Sequence, residues 1–237
     1  MIILSIDSAT PVAAVAVIKD SVLLTEEMLN IGNTHSTQLM PMAAHVLAQS
    51  NIKMSEVDAV AVSQGPGSFT GLRIGMATAK GLAQGSGCKL IAVPTLDVLA
   101  QNMWGYDGLV CPILNAKKNE VYSALYRFDG AKMAQISDYT AISPENLAKS
   151  LANSANICFL GDGVPVYREM LSNILGERAK FAPADKLLSR GASLAYLAYE
   201  KAQRGEYAEL FTTLPIYIRK CEAEINWELK HPGESVL

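Results

Sequence analysis

The first thirty residues limit the fold more than any other stretch of the chain. Ile2–Asp7 reads as an apolar strand, and Val12–Ile18 alternates Ala and Val. Lys19-Asp20 makes a turn, and Val22–Leu29 forms a third strand carrying the charged pair Glu26-Glu27. Three strands joined by short turns make an antiparallel meander, whereas a doubly wound nucleotide fold opens strand–helix. Alternation begins only afterwards. A helix over Thr34–Ser50, capped by Asn33 or Thr34, puts Leu39, Ala43, Val46 and Leu47 on one face; Pro41 either delays its start or kinks its first turns. Then come a strand over Val57–Val62, a helix from Thr70 to Gln84 stopped by Gly85-Ser86-Gly87, a strand over Lys89–Val93 and a helix over Thr95–Asn102. Such alternation requires parallel strands with right-handed crossovers.

After Trp104-Gly105 the pattern restarts. Leu109–Leu114, Glu120–Phe128 and Lys132–Thr140 are expected as strands, with a hairpin turn at Asp129-Gly130. A helix over Pro144–Leu151, a strand over Ile157–Leu160 and a helix over Pro165–Leu175 follow. Three strands and then helix–strand–helix thus occur twice. A duplicated β-meander plus α/β unit in two lobes is the layout of the actin/Hsp70-like (ASKHA) superfamily; a single irregular α/β domain is the competing reading. The expected division is an N-terminal lobe over 1-104, joined by a C-terminal amphipathic helix at about 189-205, a second lobe over 105-188, and a tail over 206-237.

Half of the 237 residues are hydrophobic and 18% are charged, which supports a substantial core and excludes a disordered chain. No apolar run approaches the roughly 18–20 residues of a membrane span. The N-terminal apolar run meets Asp7 too early for a signal peptide, so the expected location is cytoplasmic, with no membrane partner. Cys88, Cys111, Cys158 and Cys221 are widely spread without CxxC spacing, which points to neither zinc nor redox chemistry. The net charge of −3 argues against a surface that grips RNA by itself, and the nearest basic feature is the pair Lys117-Lys118.

Four segments carry candidate chemistry. Asp7-Ser8-Ala9-Thr10 turns between the first two strands, where Asp7, Ser8 and Thr10 fit either a nucleotide-phosphate hairpin or an ordinary Asx/Ser turn. His35 has Leu39 in place of a second imidazole four residues on, and His45 falls about 80° round and roughly 15 Å along the helix. The two cannot hold one ion, so capping or hydrogen bonding suits His35 better. Gly65-Pro66-Gly67-Ser68-Phe69-Thr70-Gly71-Leu72-Arg73-Ile74-Gly75 lies between a buried strand and a helix, and is neither a Walker loop nor a dinucleotide fingerprint. In that helix Gly71, Gly75 and Ala79 recur every four residues as a strip of bare backbone. Glycine inside a helix costs about 1 kcal/mol relative to alanine, so the strip implies a close approach. Spacing alone leaves open whether the chain's own sheet or another molecule makes it. Asn115-Ala116-Lys117-Lys118-Asn119-Glu120-Val121-Tyr122 is a polar turn, either a solvated hairpin or a ligand contact. No nucleophile–base arrangement stands out.

Together these residues resemble the TsaB family. The resemblance rests on Ile2–Thr10, on His35-Ser36 with Leu39 and Pro41, and above all on Gly65–Gly75; Glu120-Val121-Tyr122 and Pro215-Ile216-Tyr217-Ile218-Arg219 extend it across almost the whole chain. It implies an actin-like two-lobed pseudo-enzyme with no catalytic residue and no metal site. Its implied partners are a TsaD-type catalytic subunit and a TsaE-type ATPase in transfer of a threonylcarbamoyl group to tRNA adenosine, with tRNA met only through the complex and homodimers formed in isolation. It implies no cofactor of its own and leaves a nucleotide at the lobe or subunit junction open. The pairing surface it implies comprises His35, Gly65, Pro66, Gly67, Ser68, Phe69, Thr70, Gly71, Arg73, Gly75 and Ala79. Asn115 and Lys117-Lys118-Asn119 depart from the acidic or Arg-Gly-Glu-type turn common in that family. A stand-alone glycoprotease-like or ATP-hydrolysing enzyme is the alternative.

Overall fold

The computed structural model describes residues 1–30, 35–130 and 132–219, with Trp227 and His231. The meander is β1 (Ile2–Asp7), β2 (Ala13–Lys19) and β3 (Val22–Leu29). It is followed by α1 (His35–Gln49), β4 (Ala59–Ser63), α2 (Phe69–Ser86), β5 (Lys89–Val93) and α3 (Thr95–Gln101). The second unit begins with β6 (Leu109–Lys117), β7 (Glu120–Ser123), β8 (Tyr126–Asp129), β9 (Lys132–Gln135) and β10 (Thr140–Ile142). It continues with α4 (Pro144–Ser150), β11 (Ile157–Leu160), α5 (Val164–Leu175) and β12 (Ala179–Phe181), and α6 (Gly191–Gln203) comes last. α1 starts at His35 and carries Pro41 inside it, so the proline does not delay the helix.

The first sheet runs β3-β2-β1-β4-β5 and the second repeats that order as β10-β7-β6-β11-β12. In each, three antiparallel strands lead into two parallel ones. Two expected strands of the second unit are divided. β7 and β8 both pair with β6, Ser123 against Ile113 and Tyr126 against Val110. Continuing that register sets Ala124 against Pro112, which has no N–H to give. Leu125 turns its backbone elsewhere instead: its N–H donates to Ser137 Oγ at 2.8 Å, and its carbonyl accepts from Ile136 N at 2.8 Å. The stretch expected as one strand over Lys132–Thr140 likewise yields β9, which pairs with β8, and β10, which completes the meander on β7.

Both sheets are covered on two faces. Leu4, Ile6, Val15 and Val17 pack beneath α1 and α2, against Leu39, Met42, Val46, Met76 and Ala83. Their alternates Ile3, Ile18 and Ala61 meet Leu194, Ala195 and Ala198 of α6, as period-two alternation requires. Glu26 of β3 fastens that helix. Its carboxylate accepts from Arg190 Nε and from Ala192 N, each at 3.1 Å. In the second unit, Cys111, Ile113 and Phe159 pack with Leu147 of α4 and Leu171 of α5. Burial pushes the Cys111 thiol up to about 12 and Cys158 to about 11, so both stay protonated and inert at neutral pH. Cys221 lies outside the described residues.

α3 locks the two units together. Val98 joins the first core, while Leu96, Leu99 and Ala100 pack with Val110, Leu114 and Tyr126 of the second. Beside them Asp97 Oδ1 accepts from Tyr126 OH at 2.6 Å and Tyr139 OH at 2.7 Å. Burial raises the Asp97 pKa, opposed by those two hydroxyls. The folded state therefore holds this proton more tightly than the unfolded chain, and the carboxylate costs stability as pH rises through its folded pKa. Asp97→Ala orphans both hydroxyls and should lower stability by about 2–4 kcal/mol. Asp97→Asn keeps the accepting oxygen without the titration. Its stability relative to wild type should improve as pH rises from about 4 to 7, which urea unfolding across that range measures.

Candidate functional site

The β1–β2 turn and the start of α2 are built around each other. Asp7, Ser8 and Thr10 are 0%, 2% and 4% exposed. Ala9 N donates to Asp7 Oδ1 at 2.9 Å, and the Ser189 hydroxyl donates to Asp7 Oδ2. Ser8 Oγ donates to the Gly71 carbonyl at 2.8 Å, Ser68 N donates to the Ala9 carbonyl at 2.7 Å, and Thr10 Oγ1 accepts from Val12 N at 3.2 Å. Of the two readings of Asp7, Ser8 and Thr10, these bonds match the ordinary Asx/Ser turn. These groups are sealed beneath α2 and bonded within the chain, a packing junction of buried, mutually satisfied polar atoms.

The same junction overturns the reading of the glycine strip. Gly71, Gly75 and Ala79 are buried and face inward. A Cβ on Gly71 would stand inside the Ser8 carbonyl oxygen, one on Gly75 inside Ser8 Oγ, and one on Gly67 inside the Ala9 carbonyl oxygen. The bare backbone serves close approach of the chain's own turn, so Gly67, Gly71, Gly75 and Ala79 do not form an outward groove. Gly65 and Pro66 are buried too, and Gly65 has φ +116°, with the Ile216 carbonyl 2.6 Å from where a Cβ would be. Of the remaining motif residues, Ser68, Thr70 and Arg73 are exposed and Phe69 is half-buried. Ser68 caps α2, accepting from Gly71 N at 3.2 Å, and Gly87 ends it at φ 71°.

A second strip lies on the other side of the helix. Arg73, Ala77, Gly81 and Gly85 are exposed, and a Cβ at Gly81 or Gly85 would meet nothing within 4 Å. Two residues of offset rotate this strip by roughly 200° from the first. α1 packs beside α2 and presents Ser36, Thr37, Met40, Pro41, Ala44 and Ala48 outward. Neither helix contains an Asp or Glu. The side chain of His35 lies outside the described residues. His45 Nδ1 sits 2.8 Å from Glu27 Oε2, and its Nε2 3.0 Å from Gln49 Nε2. Among the described residues no three of His, Cys, Asp and Glu gather as a metal site.

A strap formed by residues 206–219 runs along the other flank of α2. Ala208 N donates to the Leu90 carbonyl at the edge of β5, and Ile216 N to the Gln64 carbonyl, each at 2.8 Å. Gln64 Nε2 returns a bond to the Leu214 carbonyl at 2.9 Å. The Tyr217 ring lies 5.1 Å from Phe69, and its hydroxyl accepts from Arg73 Nε at 3.2 Å, while the Arg73 guanidinium sits 3.9 Å over Phe69.

A family model described as "TsaD: tRNA N6-adenosine threonylcarbamoyltransferase" matches residues 30–227. The tRNA threonylcarbamoyladenosine biosynthesis protein TsaB of Bacillus subtilis is 29% identical over 228 residues, 96% of this chain and 98% of that protein. The chain belongs to the TsaB family. The Haemophilus influenzae protein of the same name is 29% identical over 246 residues, 98% of this chain and 97% of that one. The Escherichia coli protein of that name is 37% identical over 131 residues, 54% of this chain and 56% of its own length. Among solved structures, YeaZ from Pseudomonas aeruginosa superposes with a TM-score of 0.78 at 28% identity, covering 91% of this chain and 99% of that one. The activator of a 2-hydroxyisocaproyl-CoA dehydratase from Clostridium difficile, at TM-score 0.50 and 10% identity, shares the fold alone, covering 87% of this chain and 97% of its own. The TsaB-family chain has the actin-like fold expected from its duplicated pattern.

In this TsaB-family chain the 115–122 turn is held from two sides, by Asp162 and by Arg219. Lys117, Lys118 and Asn119 have φ of 59°, 51° and 59°. Asn115 N donates to Asp162 Oδ1, and Asn115 Oδ1 accepts from Lys117 N, both at 3.0 Å. Burial raises the Asp162 pKa, opposed by its backbone hydrogen bonds. Arg219 Nη1 donates to the Ala116 carbonyl at 3.1 Å and pairs with Glu120 Oε2 at 2.8 Å. The strap therefore fastens to the first unit through Tyr217 and to the second through Arg219. Arg219→Ala should raise amide exchange in the 115–120 turn several-fold while leaving the α1 and α2 amides unchanged, as hydrogen exchange read by mass spectrometry reports.

Sequence reasoning missed Ala77 and Gly81, Ser189 on Asp7, the Asp97 hydroxyl pair and the strap. One signal was present for the first of these: the outward strip is the one that starts at a charged residue, Arg73.

Proposed function

We propose that this TsaB-family chain is a non-catalytic subunit in N6-threonylcarbamoyladenosine formation on tRNA. It pairs with a TsaD-type transferase, works with a TsaE-type ATPase, meets tRNA through that assembly, and pairs with itself when alone. The observation that carries the reading is the near full-length match to proteins named for this biosynthesis. The geometry supports pairing through the outward faces of α1 and α2. Ala44, Ala77 and Gly81 offer low relief beside the exposed Met40, so another helix can come close enough for extensive van der Waals contact. Ser68, Thr70 and Arg73 border this face, and Phe69 braces Arg73 from beneath. Asp7, Ser8 and Thr10 serve packing in this reading, and the chemistry belongs to the partner.

The experiment is reconstitution with tRNA, threonylcarbamoyl-adenylate and the TsaD- and TsaE-type proteins, with and without this chain. Modified adenosine should accumulate only when the chain is present, and the chain with tRNA and the adenylate should yield none. Transfer by the chain alone, or equal modification without it, contradicts the proposal.

A further inference from the structure

Phe211 and Leu214 are the most exposed large apolar side chains among the described residues, at 76% and 68%. Both sit on the strap, and their exposure does not come from a loose backbone. The Phe211 carbonyl accepts from Lys80 Nζ of α2 at 3.4 Å, and the Leu214 carbonyl accepts from Gln64 Nε2 at 2.9 Å. Leu210, just before these anchors, packs against the first core. The strap thus ties down its carbonyls and holds two apolar side chains out in water, at a hydration cost that burial against a partner would remove.

Their position on the sheet gives them a use. α1 lies over β2 and β3, α2 over β4 and β5, and the strap borders the free edge of β5. The exposed ridge of Ala77 and Gly81 therefore forms the floor of a trough with α1 on one side and the strap on the other. Arg73 and Lys80, both bonded to the strap, stand on that second flank. Across α1 and α2 these cations face no carboxylate of their own helices, although the chain as a whole carries a net charge of −3.

Resting on the pairing face proposed above, we propose that the strap is the third wall of that trough, and that Phe211 and Leu214 receive apolar side chains from a helix of the TsaD-type subunit. Charge complementarity assigns the occupant: a helix with large apolar residues toward the strap and carboxylates toward Arg73 and Lys80. Contacts of this kind concentrate affinity in a few desolvated aromatic and aliphatic anchors.

The test is the double variant Phe211→Ser, Leu214→Ser, titrated calorimetrically against the TsaD-type subunit beside wild type and Gly81→Trp. Its melting temperature should stay that of wild type, because the removed groups touch solvent. Its affinity should fall about 30-fold or more, and wild-type affinity should weaken as salt is raised. Affinity within about threefold of wild type, with Gly81→Trp still defective, overturns the strap proposal and leaves the pairing face standing. Normal binding by both variants removes the pairing face and the strap proposal with it. Loss of self-association with unchanged affinity for the TsaD-type subunit overturns the assigned occupant in favour of a second copy of this chain.

Discussion

Gly71→Ala is expected to lower the stability of the folded chain by about 2–4 kcal/mol, although alanine is the better helix former by about 1 kcal/mol. The added methyl would overlap the Ser8 carbonyl oxygen, a backbone atom that cannot rotate away. Relief requires α2 to lift from the β1–β2 turn. That would break the bond from Ser8 Oγ to the Gly71 carbonyl and loosen Ser68 N on the Ala9 carbonyl. For a chain of this length the melting midpoint should fall by about 6–12 °C. Gly75→Ala is the internal control. Its methyl would overlap Ser8 Oγ, while Ser8 Cβ lies 3.7 Å away, at ordinary contact distance. Removing the hydroxyl should therefore make room for the methyl. Ser8→Ala combined with Gly75→Ala should recover about 1–2 kcal/mol relative to additivity, and the same Ser8 change should not rescue Gly71→Ala. Thermal unfolding of wild type and the five variants measures this. Additive behaviour at Gly75, or a wild-type midpoint for Gly71→Ala, would show that the turn does not press on α2.

Gly81→Trp should do the reverse. Nothing lies within 4 Å of a Cβ at this position, and replacing a glycine inside a helix favours the fold by a few tenths of a kcal/mol or more. The melting midpoint should be unchanged or slightly raised. Association with a TsaD-type subunit should weaken by about 100-fold or more, because an indole on the floor of the trough holds a partner helix away along its length. Size-exclusion chromatography at micromolar concentration should then show separate subunits where wild type co-elutes. Gly71 is buried in α2 and Gly81 is exposed on it, so the two variants separate loss of fold from loss of pairing.

That contrast also shows what was legible in the chain. β1, β3, β5 and β11 lie at the residues read from apolar runs and turn signals, because buried strands bounded by turns are locally encoded. The duplicated layout followed from the same local signals. The direction of the glycine strip did not. α2 carries two small-residue ladders on opposite faces, and the one that faces inward is selected by a turn 63 residues earlier in the chain. The division of the second meander depends on Pro112 standing across from Ala124, a tertiary fact rather than a local one. The strap was visible only as the apolar-aromatic stretch at Ile216-Tyr217-Ile218. Its partners Gln64 and Arg73 are 150 and 144 residues away, and no local period connects them.

Hydrogen exchange on this chain, alone and saturated with a TsaD-type subunit, tests the pairing face most directly. Protection should appear on α1 between residues 36 and 48, on α2 between 70 and 85, and on the strap between 211 and 217, with β3 and α5 unchanged. Protection confined to the second unit, with α1 and α2 exchanging as in the free chain, would contradict it.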